Sequence, residues 1–355
     1  MKIYIRRIKI IIGHYMKIIG IVLAACFLLS SLSAQERQIK NIVVIVTMPV
    51  PVCDLNLKWF LAEFDRLGYK DGETMNLTVI RANGDRKFAE NELRRIIKTR
   101  KPDAVATIAT LASQAAMTVL KDTNIPIFFS SVSDPVGAGL IKKVGEPTGI
   151  NIAGRVFTVP KEVRLDVAIR LARQIVSEDR PIRLGYIFSS YPSSEGEYMR
   201  LKTIARENAD IQLESYRLDY KKVPEGIASM LADVKSGIKA LSGKVDFWWE
   251  PQGPLGELAE YTKLLLDNSK IPILMGQKFK SVAMGALLHI TPDAREGGRE
   301  AAGLVDAILK GADPGQIPVT ASSVFQVGIN LTTALKLNIV VPSDIIELAG
   351  EHLYR

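Results

Sequence analysis

KPDAVATIATLASQAAMTVLKDTNIPIFFSSVSDPVGAGL, residues Lys101–Leu140, is the stretch whose reading decides the fold. Ala104–Ile108 is an apolar run too short for a helix, set between Pro102 and the small pair Ala109–Thr110. Ala112–Lys121 is alanine-rich with helical periodicity. Ile125–Phe129 is a second apolar run with a proline at its edge, where the missing N–H is tolerated. Strand, helix and strand within about 30 residues make a βαβ unit, whose sheet is parallel and whose ligands collect at the C-terminal strand ends. The turns that face a ligand are therefore Thr110–Leu111 and Ser130–Pro135.

The same alternation extends in both directions. Upstream come a strand at Ile42–Val46, a proline-rich turn at Met48–Asp54 and an amphipathic helix to Leu67. A strand at Leu77–Ile80 and a charged helix at Lys87–Lys98 follow, and Gly149–Gly154 reads as a glycine-flanked link. A second series then begins, with helices expected at Lys161–Ile175, Gly196–Glu207, Glu225–Leu241, Leu255–Asn268 and Ala294–Lys310. Its strands are expected at Ile182–Phe188, Ile211–Tyr216, Val245–Trp249, Ile271–Leu274 and Ala286–Ile290. Two βα series of similar size predict an α/β protein of two Rossmann-like lobes with parallel sheets. No period of about 20–50 residues recurs, which argues against a solenoid.

Composition narrows the function. Five of the 46 basic residues and none of the 38 acidic ones lie in the first 34 residues, so the net charge of +8 falls to +3 beyond them. A nearly neutral remainder gives no reason to invoke nucleic acid. Those 34 residues have the order of a secretory leader: basic residues, an apolar run Ile18–Leu32, then Ser31-Leu32-Ser33-Ala34 and polar Gln35-Glu36-Arg37. The apolar run of 15 residues is shorter than the ~20 needed to span a bilayer, which favours cleavage over anchoring. Met16 offers an alternative start, and Leu23-Ala24-Ala25-Cys26 matches the pattern for lipid attachment at Cys26. Beyond the leader only Cys53 remains, so no internal disulfide, thiol pair or thiolate metal set is expected.

Catalytic signatures are few. Beyond the leader the histidines are His289, in an apolar strand and read as a packed residue, and His352 near the C-terminus. Gly-x-Ser-x-Gly, Walker A and His-Glu-x-x-His sequences are absent, and neither Gly137-Ala-Gly139 nor Gly297-Gly298 has the surroundings of a dinucleotide fingerprint. Asp134, before Pro135, either caps its own turn or meets a ligand. Thr110 would N-cap its helix, a position that also suits an anion. Ser189-Ser190-Tyr191-Pro192-Ser193-Ser194 is either a plain loop or a polar mouth. Trp248 and Trp249 alternate to opposite faces, so that one can stack on a ligand while the other packs, or both pack.

Several of these residues carry a family resemblance. Asp134-Pro-Val-Gly-Ala-Gly-Leu140, Thr110 before Gln114-Ala-Ala, and Asn124-Ile-Pro-Ile-Phe128 resemble the substrate-binding proteins of ABC importers. So do Phe60–Tyr69 (FLAEFDRLGY), Gly285-Ala-Leu, Gly298-Arg299 and Phe325-Gln-Val-Gly-Ile-Asn-Leu331 with Ala334-Leu335. The nearest branch includes tryptophan and tyrosine binders. The resemblance runs from about Asn41 to the C-terminus and implies the type I periplasmic binding fold, two lobes joined by hinge segments. It implies lobe 1 at 35–152 plus about 291–322, and lobe 2 at 153–290 plus about 323–355. Carried over by position, it implies first-lobe contacts from Pro49, Asp54, Thr110, Leu111, Ser131, Ser133 and Asp134. The second lobe would supply Ser189, Ser190, Tyr191, Trp249, Glu250 and Gln252. Many relatives have Val-Pro-Thr-Asp where this chain has Glu250-Pro251-Gln252-Gly253, so Glu250 or Gln252 would replace an aspartate facing a ligand amino group.

Together these readings imply a non-enzymatic, exported solute-binding protein, periplasmic or extracytoplasmic after cleavage. It would be monomeric, without a cofactor or metal, and would capture a small molecule such as an amino acid and deliver it to a membrane permease. The alternative is an exported sensor or partner-binding protein of the same fold that signals to a membrane receptor or kinase.

Overall fold

The run KNIVVIV forms β1 (Lys40–Val46), and its alternation explains a sheet covered on both faces. Val43 and Ile45 enter one core cluster, while Ile42, Val44 and Val46 enter another on the opposite side. The computed structural model describes residues 39–159, 161–177, 179–322 and 324–355. The expected leader at 1–34 and Cys26 lie outside the described residues.

From β1 the chain continues through α1 (Pro51–Arg66), β2 (Met75–Arg81), α2 (Arg86–Thr99), β3 (Ala104–Ile108), α3 (Thr110–Leu120), β4 (Ile127–Val132) and β5 (Ile152–Val156). Next come α4 (Lys161–Ala172), β6 (Ile182–Ser189), α5 (Pro192–Glu207), β7 (Ile211–Leu218), α6 (Ile227–Leu241), β8 (Phe247–Trp249) and α7 (Ala259–Asn268). Then β9 (Ile273–Met275), α8 (Phe279–Met284), β10 (Leu288–Pro292) and α9 (Ala294–Leu309) follow. The chain ends with β11 (Thr320–Ala321), β12 (Phe325–Asn330), α10 (Leu331–Lys336), α11 (Ser343–Ala349) and β13 (Leu353–Tyr354).

Two sheets result, ordered β11-β5-β4-β3-β1-β2 and β13-β12-β10-β9-β8-β6-β7. Every pairing is parallel except β10 with β12. This is the α/β two-lobed fold expected of a periplasmic binding protein. Strand order reverses beside β1 in the first sheet and beside β6 in the second. Crevices open at such switch points, outside the C-terminal strand ends.

Local chemistry moves several boundaries. Pro51 and Pro192 occupy the first turns of α1 and α5, where proline's fixed φ suits a helix start and its missing N–H costs nothing. Helix α1 therefore begins inside the expected Met48–Asp54 turn, and Ser193 and Ser194 are helical rather than looped. The expected Gly149–Gly154 link gives way at Ile152 to β5, which pairs with β4 and extends past the boundary at residue 152. Ala109, not Thr110, is the N-cap of α3, at φ 71°, and contributes no side-chain cap. Thr47 Oγ1, from the end of β1, accepts instead from the Ala112 N–H at 3.0 Å.

The chain passes between the sheets after β5, between β10 and α9, and between β11 and β12. On its return, α9 lies against α1 so closely that a Cβ on Gly298 would sit 2.5 Å from the Asn56 carbonyl oxygen. The Gly297-Gly298 pair thus serves helix packing. The lobes also touch directly. Tyr191 packs in the first lobe's cluster with Met48 and Leu111, and Lys222 Nζ meets Asp85 Oδ2 at 3.1 Å. Among the described residues no helix is long and apolar enough to cross a membrane.

Candidate functional site

The C-terminal ends of β1, β3 and β4 face those of β6, β8 and β9 across a cavity of about 220 Å³. The loop after β1 brings Thr47, Met48 and Val50, and the start of α1 brings Cys53. The turn after β3 brings Ala109 and Thr110. Ser131 and Ser133 come from the end of β4, and Phe157–Val159 from the first crossing segment. From the other lobe come Arg164, Tyr191, Ser193, Gln252–Pro254, Glu257, Gln277–Phe279 and His289. The volume and the mostly apolar wall suit a small solute rather than a chain.

The backbone is strained where the first lobe meets the cavity. Between Phe129 and Val132 the β4–β5 register shifts by an extra residue on β4, and Ser131 takes φ 55°. A bulge of this kind re-aims side chains at a sheet's rim. Ala109, the other non-glycine residue with positive φ on the wall, lies beside it. Such conformations cost about 1–3 kcal/mol each and persist where the surroundings enforce them. Behind the wall, Ser130 Oγ donates to Asn56 Oδ1 at 3.0 Å and ties β4 to α1.

The second lobe's half is organised by Glu197, one turn into α5 and 1% exposed. Its carboxylate accepts from Arg164 Nη1 at 2.8 Å, Tyr186 Oη at 2.9 Å, the Gln252 N–H at 2.8 Å and Trp249 Nε1 at 3.3 Å. Arg164 lies over the Trp249 ring, 4.8 Å from its centroid. Gln252 is held from its other side by Ser194 Oγ, which donates to its carbonyl. Glu250 is fully buried and accepts from the Gln277 N–H at 2.8 Å, fixing the loop that carries Lys278; burial pushes its carboxyl up. Burial pulls the Lys278 ammonium down and pushes the Glu257 carboxyl up, and each of these charges offsets part of the other's shift. His289 Nδ1 meets the Gly276 carbonyl at 2.8 Å, and burial pulls its imidazole down to about 3, so it stays neutral.

Four polar atoms on this wall are buried without a protein partner: Ser131 Oγ, Ser133 Oγ, Tyr191 Oη and Arg164 Nε. Buried polar groups are nearly always paired, so a convergence of orphans marks where a ligand's polar groups would sit.

Of the residues expected from the sequence, Thr110, Ser131, Ser133, Tyr191 and Gln252 line the cavity. The others sit elsewhere. Pro49 is exposed outside the wall, and Asp54 pairs with Arg81 at 3.2 Å on the surface. Leu111 packs in the first lobe's core, and Asp134 caps its own turn by accepting from the Gly137 N–H at 2.8 Å. Ser189 is buried off the wall, while Ser190 Oγ accepts from the Tyr220 N–H at 2.9 Å. Trp248 and Trp249 enter opposite core clusters, so both pack. Arg164, Glu197, Glu257 and Lys278 escaped the sequence reading. Glu197 had a signal, an acid among the inward positions Ser194 and Leu201 of an amphipathic helix. Lys278 follows a strand end, but Arg164 has no local mark.

With that geometry in place, comparison with known proteins is informative. The family described as "ABC transporter substrate binding protein" matches residues 41–353. A tyrosine-binding protein of Clostridioides difficile (strain R20291) is 28% identical over 306 residues, 85% of this chain and 82% of that protein. A conserved domain protein from Vibrio cholerae O1 biovar El Tor str. N16961 shares the fold with TM-score 0.71 at 24% identity, over 90% of this chain and all of that one. An ABC domain from Streptococcus pneumonia in complex with L-Trp does so with TM-score 0.67 at 22% identity, over 88% of this chain and all of that one.

Proposed function

Because this chain belongs to the family of ABC transporter substrate-binding proteins, we propose that it captures an amino acid or related small solute between its lobes by hinge closure. Supporting this reading are relatives named for tyrosine or crystallised with L-Trp. The observation that carries it is the set of four unpartnered polar atoms on one cavity wall, drawn from both lobes. A solute that satisfies atoms from both lobes binds the closed form better than the open one, which is what closure on a ligand requires. Delivery to a membrane permease and an exported location complete the proposal.

The test is a thermal-shift and calorimetric screen of the protein against free amino acids, their derivatives and small sugars. Saturable stabilisation by one chemical class is the expected result. Stabilisation by none of them would overturn the reading.

A further inference from the structure

Arg164 has a geometry that its structural contacts do not exhaust. Glu197 accepts from Nη1 at 2.8 Å and the Trp249 ring lies 4.8 Å away, which together fix the plane of the guanidinium. Nε is buried and has no partner. A guanidinium offers paired N–H groups along its edges, and the Nε edge matches two oxygens of one oxyanion. Among the described residues, the charges on the cavity wall are Arg164, Lys278 and Glu257. Lys278 Nζ already donates to the Gly256 carbonyl at 2.8 Å, and Lys278 and Glu257 offset one another. Of the two cations, Arg164 is the one with a buried donor left without a partner. Ser131, Ser133 and Tyr191 add unpaired hydroxyls to the same cavity. Arg164 also borders a second cavity of about 460 Å³ beside α4 and α5, but the convergent orphan hydroxyls lie in the first.

Resting on the solute-binding reading, we propose that Arg164 determines specificity by holding an oxyanion of the solute, with Glu197 as the residue that positions it. Glu197 occupies Nη1 and so presents the Nε edge. The same carboxylate binds the Gln252 N–H at 2.8 Å, which sets the adjoining stretch of wall. A carboxylate and a phosphate share this chemistry, and the test separates them.

The full-length protein would be titrated calorimetrically with pairs of probes in which an uncharged group replaces the oxyanion. The pairs are L-tyrosine and L-tyrosinamide, L-tryptophan and L-tryptophanamide, succinate and succinamide, and glycerol 3-phosphate and glycerol. The expected result is that at least one probe bearing the oxyanion binds the natural protein tenfold or more tightly than its partner without it. Arg164→Gln should lose about 10- to 100-fold in affinity for that probe and little for the partner without the oxyanion, collapsing the ratio. Arg164→Lys, which keeps charge without the fork, should restore part of the ratio, and Glu197→Gln should lower it with Arg164 intact. A merely structural role would weaken both members of a pair equally, leave the ratio unchanged and overturn the assignment. Equal binding of both members by the natural protein would also overturn it while leaving solute binding intact. If the dependence on Arg164 appears only with glycerol 3-phosphate, the oxyanion is a phosphate and the assignment stands. If no member of any pair binds, the assignment falls, while the solute-binding reading is decided by the wider screen.

Discussion

Arg200→Met tests the proposed closure of the lobes, and whether it rests on polar contacts as well as on packing. Arg200, in α5, donates to the Ser133 carbonyl at 3.3 Å and to Thr158 Oγ1 at 2.9 Å. Ser133 belongs to the first lobe and Thr158 to the first crossing segment. The two effects of closure on Arg200 have opposite signs. Burial, the largest influence, pulls its guanidinium down from the ordinary value, so closure costs hydration. The hydrogen bonds return part of that, about 1.5–3 kcal/mol for a well-made bond to a charged donor. The shorter bond is near the best length, whereas the longer one is stretched. Methionine keeps an unbranched apolar stem but makes neither bond. The closed form should then lose about 1–3 kcal/mol, or about 5- to 150-fold in solute affinity.

Calorimetric titration of Arg200→Met with the tightest solute from the screen measures that loss. Small-angle scattering with and without solute reports whether the lobes still close. Affinity equal to or tighter than that of the natural protein would refute the reasoning, because desolvation of the guanidinium would then outweigh its bonds. Lys222→Met supplies the contrast. Its pair with Asp85 also spans the lobes, but the side chains are 55% and 37% exposed. Such a pair contributes about 0–1 kcal/mol, so the loss should stay below about fivefold and vanish at high salt.

Two glycines of α9 should respond in opposite directions to alanine. At Gly298 the new Cβ meets the Asn56 carbonyl oxygen at 2.5 Å, and urea unfolding should show a loss of about 1–3 kcal/mol. Gly303 has nothing within 4 Å, and there alanine should add about 0.5–1 kcal/mol through helix propensity alone. His289 makes stability depend on pH. Its folded value, about 3, lies below the ordinary 6.5, so below pH 6.5 the unfolded chain binds a proton that the folded one refuses. Stability should fall by roughly 1.4 kcal/mol per pH unit from 6.5 toward 3, and His289→Asn should remove that part of the slope in pH-dependent urea titrations. Cys53 is 1% exposed, and burial pushes its thiol up to about 12. Iodoacetamide in mildly alkaline buffer should therefore leave it unmodified in the native protein and alkylate it once denaturant is added, as read by mass spectrometry.

The lobes were legible because both depend on local signals. Buried parallel strands read as short apolar runs, and KNIVVIV or AVATI has few other readings. The site was legible only where it follows strand ends. Thr110, Ser131, Tyr191 and Gln252 could be reached by placing ligands beyond the C-termini of strands. Leu111 and Trp249 are neighbours of wall residues in sequence but turn into the core, and no sequence period tells which neighbour of a turn faces a cleft. Glu250 falls outside the wall for a different reason. A carboxylate at a strand end suggests ligand contact, yet here Oε2 accepts from the Gln277 N–H and Oε1 is buried without a partner. Arg164 was invisible because its placement comes from Glu197 and Trp249, 33 residues away in one case and farther in the other.

Those distant partners bear on how solute and closure are coupled. The first lobe offers hydroxyls on a bulged strand, and the second offers a fixed guanidinium, a tyrosine hydroxyl and the Lys278–Glu257 pair. With the lobes in contact, Ser131, Ser133, Arg164 and Tyr191 each bury a polar atom without a protein partner. Leaving such an atom unpaired costs about 1–3 kcal/mol, so several of them together weigh heavily against closure around an apolar or mismatched occupant. On the proposed closure, a solute that pairs with them would remove that cost only in the closed form, which builds its differential affinity into the wall. An amide in place of an acid would fill the same volume yet place N–H groups against the guanidinium edge. Discrimination by mismatch at paired polar sites is far steeper than discrimination by size in an apolar pocket. Selectivity in this protein should accordingly follow charge and hydrogen-bond pattern before it follows the shape of the side chain.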